Sequence, residues 1–327
     1  MKKILIASTA LTMLAGAASA DVTVAGKGYF GLQYYSKPAA GMKKTVLYSR
    51  LQFEIKGSKT TDSGLTFHGK VRIRSQQDMS HAGATPINAG QVGVTAGPLD
   101  VTVGNVSDAI DALTLYWNSE LGICGCGGET LNYIARGNGF NGYSSQGGGN
   151  NGVLATYTVG TLVVRASYQS HNNLSATKGE AALSVAYKAG PLSFELGYVD
   201  NKRSASIAQL GYQGYTGVVE YALGNSNIGL AYGSSKDTDG ATGVKDKSVN
   251  TVTLYGNTKF GATTVQAFVS NTSVPAPGGV VTANFRKVTY GLGGAYDLGS
   301  GAAMVGSVRT TNTKGGTYAD LGVTFSF

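Results

Sequence analysis

The sequence predicts an all-β chain: a sixteen-stranded antiparallel transmembrane β-barrel with a long third external loop folded into it. Three observations lead there. Apolar and polar residues alternate with period two in segment after segment. The connections between these segments alternate between short and long. One stretch, 105–151, fits neither pattern. It is glycine-rich, carries Asp108, Asp111, Glu120 and Glu129, and holds both cysteines and the only tryptophan.

Residues 1–20 stand apart from this fold. Met1-Lys2-Lys3 is a basic start, 4–14 is a mostly apolar run, and Ala18-Ser19-Ala20 has the small-x-small form of a cleavage site. Together they read as a secretory signal peptide, leaving 21–327 as the barrel domain. The apolar run is too short to span a bilayer; a retained anchor is the alternative. Without Lys2 and Lys3 the 26 basic residues fall to 24 against 18 acidic ones, a net charge of +6. No run of five like charges occurs, which argues against nucleic acid as a partner and against a polybasic lipid anchor. No later stretch reaches the roughly 18 consecutive apolar residues of a transmembrane helix. The alternation of valines and tyrosines argues against disorder.

The first three strands are the clearest. In 21–35, Val22, Val24, Gly26, Gly28, Phe30, Leu32 and Tyr34 share one face, and Thr23, Lys27, Gln33 and Tyr35 the other. In 45–57, Leu51, Phe53 and Ile55 oppose Arg50, Gln52, Glu54 and Lys56. In 64–76, Leu65, Phe67, Val71 and Ile73 oppose His68, Lys70, Arg72 and Arg74. The remaining expected strands are 90–96, 99–104, 152–159, 161–169, 179–188, 191–200, 215–223, 226–235, 248–260, 262–271, 284–297, 302–310 and 317–327. The segment 205–212 is read as loop, or as an extension of the strand near Tyr215.

Short connections at 60–63, 96–98, 159–161, 189–191, 224–225, 260–262 and 298–301 carry the glycine, proline and asparagine of tight turns. Long ones fall at 36–44, 77–89, 105–151, 170–178, 201–214, 236–247, 272–283 and 311–316. Strict alternation of this kind is the pattern of an outer-membrane barrel, with tight periplasmic turns and longer outer loops. A soluble β-sandwich also alternates along each strand, but its connections need not alternate in length. The last strand ends on Phe327, with Leu321, Val323 and Phe325 in phase. Its aromatic end resembles the terminal strand by which such barrels are recognised for insertion. Tyr34, Tyr157, Tyr168, Tyr187, Tyr198 and Tyr221 lie near strand ends on the apolar face, as interfacial girdles do; plain strand propensity is the plainer account.

A barrel of this strand number has room for water. Strand parity turns Lys27, Arg50, Lys56, His68, Lys70, Arg72, Arg74 and Arg165 inward. A charge at mid-depth on the lipid face would cost about 2–4 kcal/mol, so several in phase there are untenable. Most of these cations lie on the first three strands and form one basic wall. If 105–151 folds inward, Asp108, Asp111, Glu120 and Glu129 face that wall across a narrow gap, and a transverse field sorts solutes by size and charge.

The chain resembles the sixteen-stranded general diffusion porins of Gram-negative bacteria, of the alphaproteobacterial type. The segments that carry the resemblance are AGKGYFGLQYY at 25–35, YSRLQFEIKG at 48–57, VTVGNVSDAID at 101–111, SELG at 119–122 and the phenylalanine end. The resemblance implies passive diffusion of small hydrophilic solutes and ions, and no enzyme activity. It implies a homotrimer set in outer-membrane lipid and lipopolysaccharide. It makes Lys27 a lumen lysine, Arg50 a constriction arginine and Glu120 the acid of the loop tip. Ser119 and Leu121 depart from the proline and phenylalanine often found at that tip.

Other readings are weaker. Cys124 and Cys126 form a strained local disulfide or have no function; a metal site would need more ligands at fitting spacing. The acidic loop residues could bind calcium, though no cofactor is expected. His68, His81 and His171 match no catalytic motif, and the glycines at 137–139 and 147–149 precede no helix. An anion- or sugar-selective channel is the alternative within transport. A sugar channel would want an inward aromatic track, and parity turns most aromatics outward. An outer-membrane enzyme or adhesin barrel is the alternative from another class.

Overall fold

A computed structural model describes residues 21–79, 83, 87–123, 151–170, 179–201, 211–238, 248–273 and 285–327. The strands are β1 (Asp21–Tyr35), β2 (Thr45–Thr60), β3 (Thr66–Gln77), β4 (Gln91–Ala96), β5 (Leu99–Gly104), β6 (Asn151–Val159), β7 (Leu162–Ser170) and β8 (Glu180–Ala189). They continue as β9 (Leu192–Asn201), β10 (Gly211–Leu223), β11 (Ser226–Thr238), β12 (Val249–Phe260), β13 (Thr263–Thr272), β14 (Val288–Gly299), β15 (Ala302–Thr310) and β16 (Thr317–Ser326). Each pairs antiparallel with its sequence neighbours, and β1 closes on β16. The sheet therefore has no edge, and its ladders satisfy the backbone without water.

The sixteen strands of the sequence reading are these sixteen. The largest differences lie at their outer ends, with smaller ones at the short-turn ends of β2, β3 and β14. β10 begins at Gly211, so Gly211 and Tyr212 extend that strand, pairing with Thr238 and Asp237 of β11. β14 begins at Val288 rather than near 284. Before it the chain pairs elsewhere: Phe285 bridges Thr313, and the Arg286 N–H donates to the Asn312 carbonyl at 2.6 Å.

Five short turns place a glycine first of two turn residues, with φ between 56° and 61° at Gly97, Gly160, Gly190, Gly224 and Gly261. Positive φ at the first central residue alone is the II′ pattern, which matches the strands' right-handed twist. It also lets Pro98 and Pro191 stand second, where φ is negative.

The outer surface is apolar. Val22, Val24, Phe30, Leu32, Leu47, Phe67, Leu196, Leu230 and Leu292 are exposed there, as are Tyr34, Tyr157, Tyr168, Tyr187, Tyr198 and Tyr221. At the seam, the Gly26 N–H donates to the Phe327 carbonyl at 2.8 Å, and the Phe327 N–H donates back at 3.0 Å. The rings of Phe325 and Phe327 lie over Gly28 and Gly26, where a Cβ on either glycine would overlap them.

The lumen face departs from the simple parity reading. Ala182, Val199, Tyr212, Val218, Ala231, Tyr255 and Phe268 point inward and are buried. They form one cluster with Ala109, Ile110, Leu113, Tyr116 and Leu121 of the long loop. Where the loop covers the wall there is no water, so apolar side chains are stable on the inner face too.

Candidate functional site

The described part of the long loop, up to residue 123, is fastened to the inside of the barrel along its whole length. It starts against β4, where Gln91 donates to the Asn105 carbonyl at 3.0 Å, and passes β7, where Gln169 donates to the Val106 carbonyl at 3.0 Å. The Ala109 N–H donates to Ser167 Oγ at 2.9 Å, and Ser184 Oγ donates to the Ala109 carbonyl at 2.5 Å. A 3₁₀ turn, Leu115–Trp117, then sits on Glu195 of β9. Glu195 Oε1 accepts from the Thr114 N–H at 2.9 Å and its hydroxyl at 2.8 Å; Oε2 accepts from the Leu115 N–H at 2.8 Å and the Tyr116 N–H at 3.2 Å. One carboxylate thus satisfies the donors that open the turn.

Beyond the turn the loop crosses the lumen. Asn118 donates to Glu220 of β10 at 2.9 Å, and Gln266 of β13 donates to the Asn118 carbonyl at 2.5 Å. The Ile123 N–H donates to Asp320 of β16 at 3.2 Å. Inward glycines make room for the apolar side chains. Leu121 lies over Gly291 and Gly293 of β14, Ile110 and Leu113 lie against Gly197 of β9, and Ile123 fills a slot over Gly31 and Gly322 across the β1–β16 seam.

The wall left facing this loop carries the cations of β1–β3. Arg50 Nε donates to Gln76 Oε1 at 2.9 Å, and the guanidinium lies over the rings of Tyr29 and Tyr48, 5.3 and 5.6 Å from their centroids. Arg74 Nε and Nη2 donate to Gln52 Oε1 at 2.8 and 2.6 Å. Lys56 pairs with Glu54 at 2.8 Å, and across the ladder on β3 Lys70 faces Lys56 and Arg72 faces Glu54. His68 reaches over Gly93 to Asp100 of β5, with Nε2 and Oδ2 2.7 Å apart.

The residues expected at the gap fall into three groups. Lys27, Arg50, Lys70, Arg72 and Arg74 share the β1–β3 wall, half-buried except for the exposed Lys27. Arg165 is on β7, beside Ser184 in the ladder and near Glu195, on the wall the loop covers. Asp108 is only 3% exposed, and its Oδ1 accepts from the Ile110 and Asp111 N–H groups at 2.6 and 2.8 Å. That carboxylate shapes the loop's backbone instead of facing the lumen. Burial, with Glu180 and Asp111 nearby, pushes it up to about 7. Asp111 and Glu120 are half-buried. Burial pushes Glu120 up to about 8, against the pull of the Arg309 and Arg50 charges. Glu129, Cys124 and Cys126 lie outside the described residues, as do His81 and His171.

Sequence reasoning missed Arg309 of β15, which lies 3.9 Å over the Tyr318 ring and beside Glu120. It also missed Asp78, which accepts from Gln76 at 2.5 Å. The fastening residues Glu195, Glu220 and Asp320 were the other omission. Their signal was an acid in phase with the lumen in mid-strand. Among the described residues no group of three or more His, Cys, Asp or Glu is placed to hold a metal ion.

A closed barrel with an apolar exterior, a charged interior and a loop packed across its lumen defines a channel of the outer membrane. A family model described as Gram-negative porin matches residues 7–316, and the chain belongs to that family. It is 29% identical over 323 residues to a porin of Fuscovulum blasticum, covering 94% of this chain and 100% of that one. It is 28% identical over 300 residues to a porin of Rhodobacter capsulatus, covering 85% and 92%. Among solved structures, a triple mutant of the Rhodopseudomonas blastica porin superimposes with a TM-score of 0.73 at 26% identity, covering 94% and 100%. The protein is an outer-membrane porin, a passive channel for solutes and not an enzyme.

Proposed function

We propose that solutes pass between the inward loop and the β1–β3 wall, and that this gap is a charged constriction. Arg50, Lys70, Arg72 and Arg74 line its basic side, with Lys27 at one end. Glu120 and Asp111 stand on its acidic side, and Asp108 supports the loop from behind. Arg165 acts with Glu195 on the covered wall. The observation that carries this reading is the continuous fastening of the loop to the inner wall, which leaves the β1–β3 wall facing the loop. A field across a narrow wet gap orders water and discriminates by charge and dipole.

Cleavage after Ala20 releases the barrel domain for export, as the leading residues suggest. The family likeness supports a homotrimer surrounded by outer-membrane lipid and lipopolysaccharide. Cys124 and Cys126 form a local disulfide or have no function. Mass measurement before and after alkylation decides it, and two alkylated thiols would rule out the bond.

In planar bilayers the purified protein should show large, ohmic conductance. In a salt gradient well above pH 8, where Glu120 is ionised, Arg50→Ala and Glu120→Ala should move the reversal potential in opposite directions. A potential unmoved by both removes that pair from the constriction. A protein that inserts and carries no current overturns the whole reading.

A further inference from the structure

We infer that the constriction selects for small anions, with Arg50 and Arg74 as oxyanion-binding groups held in position by Gln76 and Gln52. This rests on the constriction proposed above and goes beyond it to the class of solute.

The argument begins with the acceptors. Arg50 and Gln76 are cross-strand partners on β2 and β3, and so are Gln52 and Arg74 one inward rung below. The two guanidiniums therefore lie on one diagonal of a square, and the two amides on the other. Each guanidinium is oriented by the neutral oxygen of a glutamine. A carboxylate at 52 or 76 would hold the arginine equally well and cancel its charge. Glutamine fixes the fork and leaves the charge in place for a carboxylate or phosphate. Below the square, Arg72 and Lys70 continue the row on β3, with inward residues about 7 Å apart.

The acids only partly offset this row. On the same wall Glu54 is paired with Lys56 and faces Arg72 across the ladder, and Asp78 accepts from the Gln76 amide, which leaves its charge in place; against these two stand Arg50, Arg74, Arg72 and Lys70. On the loop, Asp108 accepts from its own backbone. Glu195, Glu220 and Asp320 are engaged in fastening the loop. Glu120 and Asp111, both half-buried on the loop, are the acids that remain to oppose it. Tyr29 and Tyr48 complete the surroundings of Arg50 and offer ring faces, not charge.

The test is the reversal potential of the full-length channel in a potassium chloride gradient, for wild type, Gln52→Glu, Gln76→Glu and the double variant. These replacements keep size and acceptor geometry, and the heat-modifiable gel mobility of the folded barrel checks each for folding. The wild type should pass chloride in preference to potassium. Each added carboxylate should lower that ratio by up to about fivefold, the effect of one charge some 4 Å away in water. Inorganic phosphate added to the bath should depress the wild-type chloride current and leave that of the double variant largely unaffected. A wild type that prefers potassium while Arg50→Ala still moves the potential overturns anion selection and leaves the constriction standing. An Arg50→Ala channel with an unmoved potential overturns the constriction itself. A chloride preference untouched by both glutamates overturns the role of the glutamines. A chloride current indifferent to phosphate overturns oxyanion binding.

Discussion

Glu120 shows how little a formal charge says about a residue's effect. It lies on a loop packed against the inner wall, and burial outweighs the pull of the Arg309 and Arg50 charges. Its carboxyl rises from an ordinary 4.5 to about 8, so it is largely neutral at pH 6 and largely ionised well above 8. The sign follows from proton counting. Between about 4.5 and 8 the folded loop holds a proton that the unfolded chain releases, so docking weakens as pH rises through that window. Ionisation also adds negative charge to the gap. The chloride-to-potassium permeability ratio should therefore fall as pH is raised from 6 to 9.5, with its midpoint near 8. Asp108 titrates at about 7 but is buried behind the loop, so it should contribute little to the current. Glu120→Gln should flatten the profile, and a profile unchanged in that variant would assign the titration elsewhere. The family resemblance singled out Glu120 as the acid of the loop tip, but its burial and its titration were not legible in the sequence. Its special position depends on Arg309, which comes from a strand nearly two hundred residues later.

At the scale of elements, the strands were legible and the docking of the loop was not. Period-two alternation and turn glycines are local signals, and they placed all sixteen strands. The loop's seat is built from apolar residues on the inward face. Tyr212, Tyr255 and Phe268 are in phase with the polar inward residues of their strands, and they are buried there because the loop lies over them. Gly31 and Gly322 look like ordinary strand glycines, but together they form the slot for Ile123. Truncating a buried isoleucine to alanine costs about 2–5 kcal/mol. Ile123→Ala should therefore empty the slot at the seam and loosen the loop tip. The barrel should still form, because the change lies on the loop and leaves the β1–β16 ladder untouched, whereas a side chain on Gly322 would run into the Phe30 carbonyl. Single-channel recording should show a larger and noisier conductance than wild type. An unchanged conductance in a folded Ile123→Ala channel would mean that the tip does not limit the pore.

For the whole molecule, the decisive contact is the closure of β16 on β1, since every other strand pair depends on a sheet without edges. At its end Phe327 makes both backbone hydrogen bonds with Gly26 and covers that glycine with its ring, which also meets Phe53 edge-on at 5.7 Å between centroids. The sequence marked Phe327 as a terminal aromatic; its pairing with a glycine across the seam required the register. A ring over a glycine replaces the side chain the glycine lacks, so the pair should be coupled. Phe327→Ala should lower the thermal transition of protein refolded in detergent, where cellular insertion machinery plays no part. The cost should be about 1–2 kcal/mol, because the ring is still 61% exposed and only part of its area is protected. Gly26→Ala should also destabilise the wild type, because its Cβ would overlap the Phe327 ring. In the Phe327→Ala background the same methyl has room and should be neutral or favourable. The double variant should then be more stable than the sum of the two losses. Simple additivity in the heat-modifiable gel assay would show that the ring and the glycine act independently, and that the seam is held by its backbone ladder alone.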